Sequence, residues 1–524
     1  MTSPAHAGKT ERPLGVRAVV GSLVARLREH PNLGALAVLL LCSFAYFVGP
    51  AAWNQNSRLA LTRALVEHGS VQIDDWHVTT GDKSYREGHF YSDKAPGVSL
   101  LATVPYAGLY LVRRVGGGEL PQVEVQSLDP AISEAGEAPA PEEREPGDAL
   151  VYNPVTLVAL WLCRMIVVSI PSLIAGGLLF LVMLRELEGD PRLAIWPSLL
   201  WLLATPAFGY ACGFYGHQLV AALLLAAFAL VVLAPRDTEL GAGVGFLVGS
   251  LLGWAVLAEY TAAIPVVLIV AWASWRRQLR FGAWICAGGL PWAVVLAGYH
   301  TWAFGGPFET GYDYVYLEHF AEGMAVNYGI GWPDPAVLVQ LLFGTYRGLF
   351  YLSPVLLLAT WGLGVRMAER RAASRKGYPS DEGLQVGDLV LAVAICVYYL
   401  LLNSGYYMWD GGAALGPRHA VPMLGFLAIG FGPALRRAPF ATAVLGFVAC
   451  AQIILITAAG PEAPSHGNPI WAYAVPRLLA DPSPGGATDL GRLLGLPGLL
   501  SLVPLLALWA LLWPTRGGTA APSR

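Results

Sequence analysis

The chain has 524 residues, of which 55% are hydrophobic and only 13% are charged, and its mean hydropathy is +0.52. This composition excludes a water-soluble globular domain and implies an integral membrane protein. A formal net charge of −3 provides no basic surface for a nucleic-acid partner. The six cysteines, Cys42, Cys163, Cys212, Cys286, Cys396 and Cys450, lie within or beside apolar runs, at spacings that suit neither a disulfide framework nor a zinc site.

In chain order, residues 1–30 read as a disordered cytoplasmic tail. The first apolar run, 33–52, starts late, ends in an aromatic-rich segment and lacks a small-residue cleavage site, so it reads as a retained anchor rather than a signal peptide. Further runs at 193–212, 214–234, 282–303, 439–460 and 491–513 each approach the roughly 20 apolar residues that cross a bilayer as helix. Helix is required because an unpaired backbone group in hydrocarbon costs several kcal/mol. The alternating pattern of a lipid-facing barrel is absent from the sequence. The fold class is therefore an all-α polytopic membrane protein, a bundle of about 12–14 transmembrane helices.

Lys and Arg favour the cytoplasmic ends of such helices. The amino terminus (Lys9, Arg12, Arg17, Arg26, Arg28), Arg113 with Arg114, Arg185 with Arg192, Arg236, Arg276 with Arg277 and Arg280, the cluster Arg366 to Lys376, Arg436 with Arg437, and Arg516 then mark inner turns. Threading the chain through them takes about 14 crossings, with short hairpins around Pro171 and Glu259 and both termini inside. Residues 116–149, acidic and rich in Pro, Gly, Ala and Glu, read as a disordered cytoplasmic insertion. Residues 436–514 read as C-terminal helices with an outer loop at 461–490, and 515–524 as a second disordered tail.

The segments left outside are 54–95, the turn before Phe214, the turn at Glu259, 304–345, 404–419 and 461–490. In the first of these, Leu59, Leu61, Ala64 and Leu65 stand at helical spacing among Arg58, Arg63 and Glu67, which predicts a short amphipathic helix on the membrane surface. Gly69, Asp74, Asp75 and Gly81 break that pattern, and an extended approach to Pro96 follows. Asp74 and Asp75 are the loop's adjacent acidic pair. Glu259 is a carboxylate between two short apolar helices, where its cost makes it a functional candidate. His217 opens a long span and either binds substrate or caps the helix. Trp53, Trp76, Tyr91, Tyr312, Tyr314, Tyr316, Trp332, Tyr406, Tyr407 and Trp409 fit an interfacial aromatic belt. A divalent metal held by Asp74, Asp75, His77 or His89 has no support from spacing.

The order NQNSRLALTRALVEHGS, then HFYSDKAPG before the second span, resembles the GT-C superfamily of membrane glycosyltransferases, in its bacterial protein-mannosyltransferase-like and aminoarabinose-transferase-like branch. The segments TPAFGYACGFYGH (205–217), LAEY (257–260), YRGLFYLSP (346–354) and MWDGGAALGPRHAVP (408–422) resemble uncharacterised members of that branch, so the similarity spans about residues 33–435. It implies a GT-C-like transmembrane module over 31–435, with 54–95 as its outer catalytic-type loop, in a bacterial plasma membrane. The implied reaction transfers a hexose from a polyprenyl-phosphate carrier to an unknown acceptor on the extracytoplasmic face, with no certain cofactor. Arg58, Asp93, Lys94 and Pro96 fall on matching positions. Lys94 is the first choice for the donor phosphate, Arg418 the second and Arg347 a third. Asp93, Asp74 and Asp75 are the candidate bases, with Arg58, Glu259 and His217 about the substrate.

One departure stands out, because Asn54, Gln55 and Asn56 occupy the place of the acidic pair that such enzymes carry. An amide hydrogen-bonds a substrate but does not serve as a general base, so Asn54 and Asn56 are assigned to binding only. Two other readings stay open: a membrane transporter or lipid flippase, and a non-catalytic GT-C-like lipid-binding protein.

Overall fold

Five helices are long and apolar enough to cross a membrane: Pro154–Glu186, Gly216–Leu233, Leu279–Phe304, Val386–Ser404 and Pro439–Ala459. They belong to a computed structural model that describes residues 13–30, 32–49, 52–118, 154–376, 383–460, 463–464, 467–480 and 489–513. Further helices, Asn32–Tyr46, Pro191–Leu203, Ala242–Ala258, Ala263–Arg277 and Val355–Arg375, pack among them. The stretch 418–437 and the C-terminal Gly498–Leu512 complete a polytopic bundle among the described residues. Its outer surface is apolar, with Val267, Leu290, Val294 and Phe447 all exposed on their helices, as lipid contact requires.

Arg185, Arg276, Arg277 and Arg366 gather at one end of the bundle, where two of them serve carbonyls that a helix C-terminus leaves without partners. Arg277 donates to the carbonyls of Val231 and Ala234 at 2.8 Å each, and Arg185 to that of Val232 at 2.9 Å. Arg276 grips Asp388 at 2.6 Å and Arg366 grips Glu186 at 2.7 Å. Within the expected N-terminal tail, Val16–Arg28 forms a helix that packs Val19 and Leu23 inward near this end. The insertion from residue 119 onward, the second tail and Arg516 lie outside the described residues.

Two of the expected crossings differ among the described residues. The hairpin around Pro171 does not form: Pro154–Glu186 is one continuous helix of 33 residues. A π-helical turn at Met165–Ser169 lies directly before Pro171 and absorbs the disruption that proline imposes on the helix ladder. Arg164, fully buried in this helix, donates to the carbonyls of Phe44 (3.0 Å) and Phe47 at the end of Asn32–Tyr46. The helix at Glu259 does break as expected, between Ala242–Ala258 and Ala263–Arg277.

The second correction concerns Gly97–Val115, expected to cross. It runs beside Trp53–His68 in the same direction: Thr62 donates to the carbonyl of Ser99 (3.2 Å), and Tyr106 donates to Glu67 (2.5 Å). Both segments therefore belong to a layer on the end opposite Arg185, Arg276, Arg277 and Arg366, which takes Arg113 and Arg114 out of the inner turn expected for them. The expected surface helix at 57–68 forms, but it is buried from Asn54 to Ala64 beneath this layer rather than exposed. A hairpin covers it, with strands Lys83–Arg86 and His89–Ser92 in register Lys83↔Ser92. Glu87 and Gly88 turn the hairpin at positive φ (52° and 87°), the geometry of a tight two-residue turn. Leu61, Ile73, Trp76 and Tyr91 join Tyr299 and Phe304 of Leu279–Phe304 in a small core that clamps the layer to the bundle.

Two-sided labelling tests this arrangement. In a cysteine-free background, a membrane-impermeant maleimide should label Asp75→Cys but not Glu188→Cys in intact cells. Labelling of both, or of Glu188→Cys alone, would contradict the two-ended arrangement.

Candidate active site

The site begins with a buried arginine. Arg58 is almost wholly buried, and its guanidinium divides among three partners: Glu259 Oε1 at 2.7 Å, Asn54 Oδ1 at 3.0 Å and the carbonyl of Ala95 at 3.1 Å. The first-loop helix, the approach to Gly97 and the break at Glu259 thereby meet at one side chain. Gly216 makes room for the carboxylate, since a Cβ there would sit 2.2 Å from Glu259 Oε1. The next residue, His217, places Nδ1 3.8 Å from the same oxygen.

Beside this pair, Lys94 lies between two carboxylates, Asp82 at 3.0 Å and Asp93 at 3.1 Å. The hairpin creates this contact, because the Lys83↔Ser92 pairing brings Asp82 opposite Asp93. Burial opposes the lysine's charge, but the two carboxylates outweigh it and raise its pKa. Burial pushes the Asp93 carboxyl up to about 6, against the pull of Lys94 and Arg58. A segment at Thr310–Tyr314 roofs Asp93: Ser84 donates to the carbonyl of Gly311 (2.7 Å), and a Cβ on Gly311 would meet Asp93 Cα at 2.6 Å.

Arg418 and His419 form the facing wall. Arg418 lies within electrostatic reach of Asp82, Tyr210, Tyr215 and Tyr406. The His419 ring meets Tyr406 edge-on at 5.0 Å and His217 at 5.4 Å. Asp93 Oδ1, Arg418 Nε and His419 Nε2 are all buried without a hydrogen-bond partner among the described residues. Buried polar atoms are nearly always satisfied. These three atoms belong to residues grouped about Lys94.

The structure thus brings Arg58, Asp93, Lys94, His217, Glu259 and Arg418 together, although they span 360 positions of sequence. Asn54 belongs to the group through Arg58, whereas Asn56 donates to the carbonyl of Thr79 at 2.8 Å, below the hairpin. Asp74 and Asp75 lie elsewhere: Asp74 caps the Phe90 amide and pairs with His89 at 2.8 Å, and Asp75 pairs with His68 at 3.2 Å, all on the exposed side. Arg347 is fully buried and spends its donors on the carbonyls of Asp410, Gly412, Ala414, Ala463 and Pro464, which makes it a staple for the Asp410–Ala414 loop. Among the described residues, no three His, Cys, Asp or Glu side chains converge as a metal site. Asp82 and His419 carry roles that sequence reasoning did not assign. Asp82 was within reach of it, since a tight turn at Glu87–Gly88 sets the strand register.

The fold and site together define an integral membrane protein with a buried charged cluster at the end of the bundle opposite Arg185, Arg276, Arg277 and Arg366. No family profile and no curated protein sequence matches the chain. Two solved structures are similar to it: ArnT from Cupriavidus metallidurans bound to undecaprenyl phosphate, and the same protein in the apo state. Each is 16% identical with a TM-score of 0.43, covering 95% of this chain and 76% or 75% of the other. A likeness at that level does not bear on what this chain does.

The Arg58–Glu259 pair gives a stability prediction. Breaking a buried ion pair by removing one partner costs roughly 3–5 kcal/mol, whereas replacing both partners with apolar groups costs much less. Glu259→Leu should lower the melting temperature of the purified protein by several degrees, and Arg58→Met/Glu259→Leu should recover at least half of that loss. A double variant as unstable as the sum of the two single variants would show that the pair is not coupled.

Proposed function

We propose that this chain is a membrane glycosyltransferase that moves a hexose from a polyprenyl-phosphate carrier to an acceptor hydroxyl or amine on the extracytoplasmic face of a bacterial plasma membrane, with both termini inside. The observation that carries this reading is the convergence of Lys94 and Arg418 with the unpartnered carboxylate oxygen of Asp93. A phosphate needs cations, an acceptor needs a base, and a lipid carrier needs both at the membrane boundary.

In this mechanism, the acceptor atom attacks the anomeric carbon on the face opposite the phosphate and forms the new glycosidic bond. The bond from that carbon to the phosphate oxygen breaks, and its electron pair leaves with polyprenyl phosphate. Lys94 and Arg418 stabilise the charge that grows on the departing phosphate. The acceptor's proton passes to Asp93. The raised pKa of Asp93 favours it as the base, because a carboxylate with a pKa of about 6 is mostly ionised at neutral pH yet holds a proton better than an exposed one. Glu259 is neutralised by Arg58, Asp74 and Asp75 have no contact with Lys94, and Asp93 keeps a buried oxygen without a hydrogen-bond partner among the described residues, which Asp82 does not, so the base role is given to Asp93.

Purified protein should release polyprenyl phosphate from a polyprenyl-phosphate hexose when solubilised membranes of the producing organism supply the acceptor. Lys94→Ala should lower that rate by roughly a hundredfold or more, the scale of losing one preorganised group at a developing charge. Asp93→Asn should lower it by at least about a hundredfold. The wild-type rate should rise with pH through about 6 as Asp93 loses its proton, then level off. Wild-type rates in Lys94→Ala would remove the phosphate assignment. A rate that falls as pH rises through 6 would remove Asp93 as base.

A further inference from the structure

We infer that the end of the bundle carrying Arg185, Arg276 and Arg277 holds a binding site for an anionic phospholipid of the adjoining leaflet, with its phosphate between Arg26 and Arg236 and an acyl chain in the crevice lined by Phe180 and Trp196. The site lies at the opposite end from Lys94 and does not depend on the role proposed for that residue.

A cavity of about 680 Å³ opens where Val16–Arg28 meets the ends of Pro154–Glu186, Gly216–Leu233 and Ala263–Arg277. Its wall carries four arginines, Arg26, Arg185, Arg236 and Arg276, against two carboxylates, Glu188 and Asp237. Behind the wall Asp388 meets Arg276 at 2.6 Å and Arg436 meets Glu188 at 3.0 Å, charges that cancel each other, so a positive excess remains among the described residues. Along the chain before Gly383, Asp381 and Glu382 are matched by Arg375 and Lys376. Arg185 and Arg236 donate to the carbonyls of Val232 (2.9 Å) and Gly383 (3.5 Å), neutral partners that hold a guanidinium in place without cancelling its charge. Arg26 is half-buried and has neither a hydrogen bond nor an ion pair among the described residues. A phosphate supplies what it lacks, because its oxygens match the planar fork of a guanidinium.

A second cavity decides what carries the phosphate. An apolar crevice of about 380 Å³ is lined by Leu33, Leu36, Phe180, Trp196 and Trp513, with His30 and Arg192 also in its wall. The two cavities are built on the same segments: Arg26 of the first stands four residues before His30 of the second, and Leu184 of the first stands one helical turn, about 6 Å, from Phe180 of the second. On Pro154–Glu186, Phe180 is further than Leu184 from the charged end, so the apolar space lies on the bilayer side of the basic one. Charge at the end and hydrocarbon towards the bilayer is the order of a phospholipid. A free phosphate makes no use of the crevice, whereas basic pockets between transmembrane helices hold anionic headgroups.

Titration of the detergent-solubilised full-length protein with phosphatidylglycerol or phosphatidylcholine, with bound lipid counted by native mass spectrometry, tests this. Phosphatidylglycerol should bind at least tenfold more tightly than phosphatidylcholine, and millimolar inorganic phosphate should not displace it. Arg26→Gln/Arg236→Gln should weaken phosphatidylglycerol roughly twentyfold, the scale of two basic residues beside an anionic headgroup. Arg371→Gln/Arg375→Gln, which removes as much charge from exposed positions at the same end, should change it by less than threefold, and Arg26→Lys/Arg236→Lys should keep most of the affinity. Ile195→Trp, which fills the crevice, should weaken phosphatidylglycerol about tenfold, and Leu33→Trp fills it from the other wall should Ile195→Trp not fold. Equal losses in the two glutamine pairs would show surface attraction alone and overturn the inference, as would equal affinity for the two lipids. Displacement by inorganic phosphate, with unchanged lipid binding when the crevice is filled, would give the cavity to a free ion and also overturn it. A glutamine pair at Arg26 and Arg236 that fails to fold leaves the decision to the lipid preference and the filled crevice.

Discussion

A buried charge must be paired, and in this protein the pairing of Arg58 organises the region where the chemistry is proposed. A guanidinium left unpaired among apolar helices is strongly unfavourable, and so is a carboxylate at a helix break. By joining Glu259, Asn54 and the Ala95 carbonyl, Arg58 ties three distant parts of the chain into one fixed frame. Lys94 sits one residue before Ala95, and His217 one residue beyond the glycine that admits Glu259, so both inherit their positions from that frame. The amide at Asn54 fits the same logic, since it accepts from Arg58 while Glu259 supplies the charge.

The second level of organisation is the contrast between satisfied and unsatisfied polar groups. Arg347 is as deeply buried as Arg58, yet its donors all go to backbone carbonyls that would otherwise lack partners. Such an arginine closes a loop, and nothing about it calls for a ligand. Near Lys94, Asp93, Arg418 and His419 each keep a buried atom without a hydrogen-bond partner among the described residues. That difference separates a structural arginine from a binding one, which position in the sequence does not reveal.

Much of the bundle was legible because it follows from one-dimensional physics. Apolar runs of membrane length and clustered arginines such as Arg185, Arg276, Arg277 and Arg366 located most helices and showed which of their ends gather together. The failures have local causes. Pro171 reads as a helix breaker, but the preceding π-turn accommodates it, and hydropathy does not register such a turn. Gly97–Val115 is apolar enough to suggest a crossing, but its hydrogen bonds to Trp53–His68 hold it in the outer layer. At the site, the residues chosen singly came from sequence, whereas their convergence depends on tertiary contacts between residues up to hundreds of positions apart. Asp74 and Asp75, attractive as an adjacent acidic pair, are drawn off by His89 and His68, and the contact that fixes Lys94 comes from Asp82 instead.

The central claim is that the pocket between Lys94 and Arg418 receives the phosphate of a lipid carrier. A cryo-electron microscopy map of the full-length protein in nanodiscs containing polyprenyl phosphate would test it most directly. The account predicts density for a phosphate in contact with both Lys94 Nζ and the Arg418 guanidinium, with the polyprenyl chain leading from it into the bilayer. A pocket without that density, or the phosphate bound at the arginine-rich end of the bundle, would contradict it.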